Sequence, residues 1–123
     1  MKRIVWLDDV RNPYNNPWIK DIIHSSHGDH FELLWAKSYD DFKEAVMSGQ
    51  TIDVIFFDHD LGDGKSGMDC MKFLINYIIE NNINPNNFEV YFQSMNPVGK
   101  ENMKSLFERY TKFYNEEMRC TGN

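Results

Sequence analysis

The stretch from Asp53 to Gly64 reads Asp-Val-Ile-Phe-Phe-Asp-His-Asp-Leu-Gly-Asp-Gly, and it narrows the folds open to this chain more than any other. Val54, Ile55, Phe56 and Phe57 form an unbroken apolar run, rich in β-branched and aromatic side chains and closed by Asp and Gly turn chemistry. Such a run predicts a strand buried on both faces. A strand of that kind belongs in the middle of a parallel sheet. In open parallel sheets the ligand crevice lies beyond the carboxyl ends of the strands, so Asp58, His59 and Asp60 stand where chemistry is expected. Two carboxylates around one imidazole are costly to desolvate, and such a group persists where it holds a cation or transfers protons. The competing reading gives the acids to turn and helix capping.

Lys2 to Leu7 repeat the pattern, because Ile4, Val5, Trp6 and Leu7 run straight into Asp8-Asp9. Neighbouring parallel strands lie about 5 Å apart, so Asp8, Asp9 and Asp58 are expected to converge. Ionised carboxylates crowded into a poorly hydrated pocket need a counter-ion. A hard divalent cation held by oxygen ligands, Mg²⁺ before others, is the economical one. Arg11 follows closely and reads either as a surface residue or as a planar fork for an anion. Asn12-Pro13 and Asn15-Asn16-Pro17 mark a loop.

Farther along, Ile19, Ile22 and Ile23 predict a short helix over Trp18 to Ser26, ended by His27-Gly28. His24, His27 and His30 read as surface histidines, because their run crosses a glycine-marked helix end and keeps no single face. Phe31 to Ala36 predict a second strand without an acidic end. Ser38 then starts a helix that buries Phe42, Ala45 and Val46 and closes at Gly49. After the Gly62-Asp63-Gly64-Lys65 loop, Ser66-Gly67-Met68-Asp69 resembles a capped helix start. The helix from about Met68 to Asn81 carries Met71, Leu74, Ile75, Ile78 and Ile79 as its core stripe.

Phe88 to Phe92 predict a fourth strand, and Asn96-Pro97 an N-cap followed by a first helical residue. That helix would begin beside the acid cluster and offer free amide groups and a positive dipole end to a phosphate. Ser94 and Asn102 add donors nearby. Met103, Leu106, Phe107 and Tyr110 are expected on its buried side, with Lys100, Lys104 and Arg109 exposed. Thr111-Lys112-Phe113-Tyr114 is the only candidate for a further strand, and Asn115-Glu116-Glu117 cuts it short. Alternating strands and helices give an α/β class: a parallel sheet of four strands flanked by helices, the fifth strand short or missing.

Composition sets the outer limits. A chain of 123 residues suits one domain, residues 1–123, and its hydrophobic fraction of 41% suffices for a packed core. The net charge of -6 opposes bulk attraction to nucleic acid or to an anionic membrane, though a local basic face stays open. Met1-Lys2-Arg3 leads into only a short apolar run, so no signal peptide and no membrane span are expected. The expectation is a soluble, intracellular protein. Cys70 and Cys120 have neither metal-ligand nor disulfide spacing and read as free thiols.

The acids at Asp8, Asp9 and Asp58 and the hydroxyl of Ser94 resemble the receiver domains of bacterial response regulators, in which the first-strand acids bind Mg²⁺ and the third-strand aspartate accepts a phosphoryl group. Those domains end a fifth strand in a lysine, for which Lys112 is a poor substitute. A closer resemblance is to the cyclic-phosphate processing receiver family. It rests on Leu7-Asp8-Asp9-Val10-Arg11-Asn12-Pro13, on Phe57-Asp58-His59-Asp60-Leu61-Gly62, and on Gln93-Ser94-Met95-Asn96-Pro97-Val98-Gly99-Lys100-Glu101-Asn102-Met103. Gln93 stands where that family has histidine.

The resemblance implies a flavodoxin-like receiver fold and a metal-dependent phosphoesterase acting on cyclic or terminal phosphates of nucleotides or RNA ends. Asp8, Asp9, Asp58 and Asp60 would hold Mg²⁺ or Mn²⁺, with Asp58 and His59 catalytic and His59 moving the proton. Arg11, Ser94, Asn96 and Asn102 would bind the phosphate. Family members occur in bacteria and in their large phages, which implies the cytoplasm of a bacterial cell, phage-infected or not. A second reading, motivated by Gln93 and the missing lysine, is a receiver-derived binding module that has lost its chemistry and contacts a host protein or sequesters a nucleotide. A third is an ordinary phosphoacceptor.

Overall fold

The computed structural model describes residues 2–9, 21, 31–59, 61, 64–93 and 96–122. Its strands are β1 (Lys2–Leu7), β2 (Phe31–Ala36), β3 (Val54–Phe57) and β4 (Glu89–Phe92), and its helices are α1 (Tyr39–Met47), α2 (Gly67–Glu80) and α3 (Pro97–Gly122). All strand pairs are parallel, in the order β2-β1-β3-β4. That is the flavodoxin-like order without its fifth strand. Apart from Asp21, the expected helix over Trp18–Ser26 lies outside the described residues, as do the histidines His24, His27 and His30 and the loop from Arg11 to Pro17.

Strand alternation divides the sheet into two faces. Val5, Leu7, Ile55 and Phe57 point into the larger core, where Phe42 and Val46 of α1, Met71, Leu74 and Ile78 of α2, and Met103 of α3 meet them. Ile4, Trp6, Val54 and Phe56 form a separate cluster on the other face. Every residue of β3 is therefore buried, as a strand with no polar face requires. The register places Trp35, Trp6, Phe56 and Tyr91 in one row across the sheet. Trp6 and Phe56 lie 5.1 Å apart between ring centroids, and Phe56 stacks on Tyr91 at 4.9 Å. Such cross-strand aromatic pairs pin the register.

Each described helix starts where its cap dictates. The Ser38 side chain accepts from the Asp41 amide. Ser66 and Asp69 form a reciprocal capping box at the start of α2, with Ser66 Oγ accepting from the Asp69 amide and Asp69 Oδ2 accepting from the Ser66 amide. That bond to the Ser66 amide holds the Asp69 carboxyl below the usual carboxylate range. α2 then buries Cys70, Met71, Leu74, Ile75 and Ile78, each worth about 1.5–3 kcal/mol when a large apolar side chain is fully covered.

Some expectations need correction. Ile79 is 53% exposed rather than part of the core stripe. Each step of four residues turns a helix about 40° past a full circle, so the row Met71, Ile75, Ile79 rotates off the sheet by its last member. β4 begins at Glu89, because Pro85–Asn87 form a 3₁₀ turn that Phe88 closes. α3 does not stop near Tyr110. No proline interrupts it, the apolar spacing continues through Tyr114, and Asn86 Nδ2 donates to Asn115 Oδ1 at 2.7 Å to tie its second half to the 3₁₀ turn. Thr111–Tyr114 is thus helical, and the described residues contain no fifth strand.

Candidate functional site

From β1 the chain proceeds to β2 on one side and to β3 on the other, so the strand order reverses between β1 and β3. A crevice opens at such a switch point, beyond the carboxyl ends of the two strands. Asp8-Asp9 follow β1 there and Asp58 follows β3. One carboxylate oxygen from each of Asp8, Asp9 and Asp58 lies within 4.8 Å of the others. Asp8 is 1% exposed and Asp58 6%. The convergence expected from parallel register is therefore present.

The backbone around these acids is fixed from several directions. The Asp8 amide donates to the Ala36 carbonyl at 3.1 Å, and the Asp8 carbonyl accepts from Trp35 Nε1 at 2.8 Å. Gln93 follows β4, and its amide donates to the Phe57 carbonyl at 3.0 Å. Its buried side chain reaches across to β1, where Nε2 donates to the Leu7 carbonyl at 3.3 Å. The position at which the family resemblance implies an imidazole is thus occupied by an amide that joins the ends of β4 and β1. The sequence alone gave no sign of the Trp35 and Gln93 bonds, because both are long-range.

Two helices press on the segment after β3, and both approach through glycine. The Gly67 amide, in the first turn of α2, donates to the His59 carbonyl at 2.7 Å. A Cβ on Gly67 would overlap the Asp58 carbonyl, and one on Gly99 would overlap the His59 ring. Only glycine lets α2 and α3 come so near. Glycine in the first turn of a helix was the signal for both approaches, though it names no neighbour.

His59 is therefore packed against the first turn of α3. Its amide donates to Asp58 Oδ1 at 2.9 Å, and its Nδ1 lies 3.4 Å from Asn96 Nδ2. Asn96 caps α3 as expected, with Oδ1 accepting from the Gly99 amide at 3.0 Å and its carbonyl from the Lys100 amide at 2.9 Å. These bonds narrow the expected phosphate cradle. Pro97 has no N–H, and the Gly99 and Lys100 amides are engaged, which leaves Val98 as the first-turn amide outside this pattern. Asn102 is exposed in the second turn of α3. Arg11, Asp60 and Ser94 lie outside the described residues.

Three acids that present only oxygen, two of them buried, make a donor set suited to a hard divalent cation. No helix among the described residues is long and apolar enough to cross a membrane.

A solved receiver domain from the hybrid histidine kinase CckA is similar at 18% identity and a TM-score of 0.44, over 89% of this chain and 96% of that one. No curated protein matches. The profile of the cyclic-phosphate processing receiver domain matches residues 3–109, a span that holds the acid cluster, His59 and the Asn96 cap together, and the chain belongs to that family.

Proposed function

We propose that this domain is a metal-dependent phosphoesterase that opens cyclic phosphates, or processes terminal ones, on nucleotides or RNA ends. The observation that carries the reading is the meeting of Asp8, Asp9 and Asp58 within 4.8 Å at the switch point of the sheet, with the start of α3 held against the adjoining His59. Asp8, Asp9 and Asp58 would hold Mg²⁺ or Mn²⁺, and Asp60 is the further acid expected from sequence. The bound ion would supply Lewis-acid polarisation of a phosphoryl oxygen. Without it, the buried carboxylates would repel an anionic substrate.

The remaining work falls to side chains. Asp58 and His59 border the reacting phosphate, Asp58 by orienting the site through its bond from the His59 amide. Arg11 and Ser94 grip phosphoryl oxygens, the first by its planar fork. In hydrolysis of a 2′,3′-cyclic phosphate, the hydroxyl of water joins phosphorus, one P–O bond to ribose breaks, and the released ribose oxygen takes the proton. The test is incubation with Mn²⁺ and either a 2′,3′-cyclic nucleotide or an RNA ending in a cyclic phosphate. Turnover by wild type that Asp58→Ala abolishes supports the reading, and no turnover by wild type refutes it.

A second reading, a binding module without turnover, is favoured by one observation. The Gln93 side chain is committed to the Leu7 carbonyl. Binding of a cyclic nucleotide in calorimetry, with no product formed, would support that reading over the first. The phosphoacceptor reading is weaker, since Lys112 lies exposed on a helix rather than at the end of a strand. Failure of Asp58 to label with acetyl phosphate would remove it.

A further inference from the structure

An aromatic ring and a lysine at the end of β2 adjoin the acid cluster, and neither has a part in the phosphoester chemistry. Trp35 packs against the cluster of Ile4, Trp6, Val54 and Phe56, yet it stays only half-buried. Its Nε1 donates to the Asp8 carbonyl at 2.8 Å. That bond lies in the plane of the indole, so it fixes the direction of the ring without occupying either face. Lys37 Nζ sits over the ring, 4.2 Å from its centroid. Lys37 is itself exposed, so the face that it covers is the one turned to solvent.

That cover is easily displaced. An exposed ammonium over a ring is held weakly and keeps most of its water. Among the described residues no carboxylate pairs with Lys37 Nζ. Asp41 Oδ2 accepts instead from the Lys37 backbone amide at 3.1 Å, which anchors the lysine at its base rather than at its tip. A nucleobase laid on the indole makes contact across the whole ring, and one such stack outweighs an exposed lysine–ring contact. The displaced ammonium remains beside the site as a positive charge, a favourable neighbour for an anionic substrate in a chain of net charge -6.

We propose that Trp35 is the platform on which the base of a nucleoside cyclic phosphate stacks, with Lys37 covering the ring until the base displaces it. The platform lies one hydrogen bond from the backbone of Asp8, on the β2 side of the crevice, where the base of a nucleotide held by its phosphate at the acids would fall. The substrate class narrows to cyclic phosphates that carry a base, over the same phosphate on glycerol. Stacking uses the π-face that every base has, so adenine and uracil are both accepted. The placement of the phosphate rests on the phosphoesterase reading, whereas the exposed ring and its lysine cover do not.

Fluorine NMR of the full chain, labelled with 5-fluorotryptophan, reads the ring directly. The signals come from Trp6, Trp18 and Trp35, and that of Trp35 is the one lost in Trp35→Phe. In Mg²⁺, adenosine 2′-monophosphate should shift the Trp35 signal and leave that of fully buried Trp6 in place. Glycerol 2-phosphate, which carries the phosphate without a base, should leave the Trp35 signal in place at equal occupancy in calorimetry. A Trp35 signal that does not move with the nucleotide overturns the platform, and so does an equal shift by glycerol 2-phosphate. Lys37→Ala should move the same signal without any ligand, and no movement overturns the lysine cover. In turnover, Trp35→Leu should narrow the kcat/KM preference for 2′,3′-cyclic AMP over glycerol 1,2-cyclic phosphate about tenfold, the scale of one lost stack. A Trp35 that acts only by holding the Asp8 carbonyl would lower both substrates in proportion, which overturns the platform. The nucleotide-specific shift in a protein without turnover supports the platform and refutes the phosphoesterase reading, and turnover without the shift does the reverse.

Discussion

The acid cluster should make the stability of the domain depend on divalent cations, and Asp58→Asn is the substitution that exposes this. Carboxylate oxygens within 4.8 Å of one another repel by about 3 kcal/mol per ionised pair at an effective dielectric constant of about 20. Asp58 takes part in two of the three pairs. Water beside half-buried Asp9 and relaxation of the side chains leave only part of this repulsion in the fold. The amide oxygen of asparagine can still accept from the His59 amide, so the substitution removes charge and little else. A net gain of about 1–2 kcal/mol in EDTA follows, or a melting rise of about 5–10 °C for a domain of this size. Saturating Mg²⁺ acts on wild type by a different route. Binding to the native state alone adds about 2.7 kcal/mol at a hundredfold excess over Kd, again of order 10 °C. Asp58→Asn should gain little from Mg²⁺, having lost a charged ligand. Differential scanning fluorimetry in EDTA and in Mg²⁺, with ionic strength matched by NaCl to remove general screening, separates these effects. If the two proteins melt alike in EDTA and shift alike in Mg²⁺, the acids are structural and the reasoning fails.

Other perturbations test the surroundings of the cluster. Gly99→Ala drives a methyl group into the His59 ring and should cost about 1–3 kcal/mol in urea unfolding, the range for overpacking. Gly67→Ala, whose methyl group meets the Asp58 backbone as well as the Met103 side chain, should cost more. Gln93→Ala removes the bond to the Leu7 carbonyl and should destabilise by about 1–3 kcal/mol, with weaker Mg²⁺ affinity in calorimetry because Leu7 precedes Asp8. The Asp69 carboxyl is held below its ordinary range by the Ser66 amide, so its ionised form favours the fold above about pH 4 and that contribution is lost as pH falls through its lowered folded value. Asp69→Asn should therefore cost about 0.5 kcal/mol at neutral pH, the scale for a solvated acid in a first helical turn, and nothing at the acid end of a stability–pH series.

Much of this architecture can be read from the chain because the informative signals are local. β1, β2 and β3 are short apolar runs with polar ends, and a parallel register then brings Asp8, Asp9 and Asp58 together without further information. Ser38, Ser66 and Asn96 announce their helices through capping chemistry that acts within a few residues. The direction of His59 could not be read in this way. It lies past the end of β3, where alternation no longer applies, and its placement depends on Gly99 and Asn96 from another helix. Distance in sequence likewise hid the Trp35 and Gln93 bonds that hold the end of β1. The length of α3 is hidden from local signals, because Thr111, Phe113 and Tyr114 favour strands locally, while continuation of the helix is rewarded by contact with the 3₁₀ turn.

A crystal of the full chain grown with Mn²⁺ and inorganic phosphate puts the central claim, one site for a divalent ion and a phosphate, to its most direct test. Anomalous scattering should place the metal between Asp8, Asp9 and Asp58, with one oxygen of each about 2 Å away and a phosphate oxygen on the same ion. Metal density elsewhere, or phosphate bound apart from this cluster, would contradict the account.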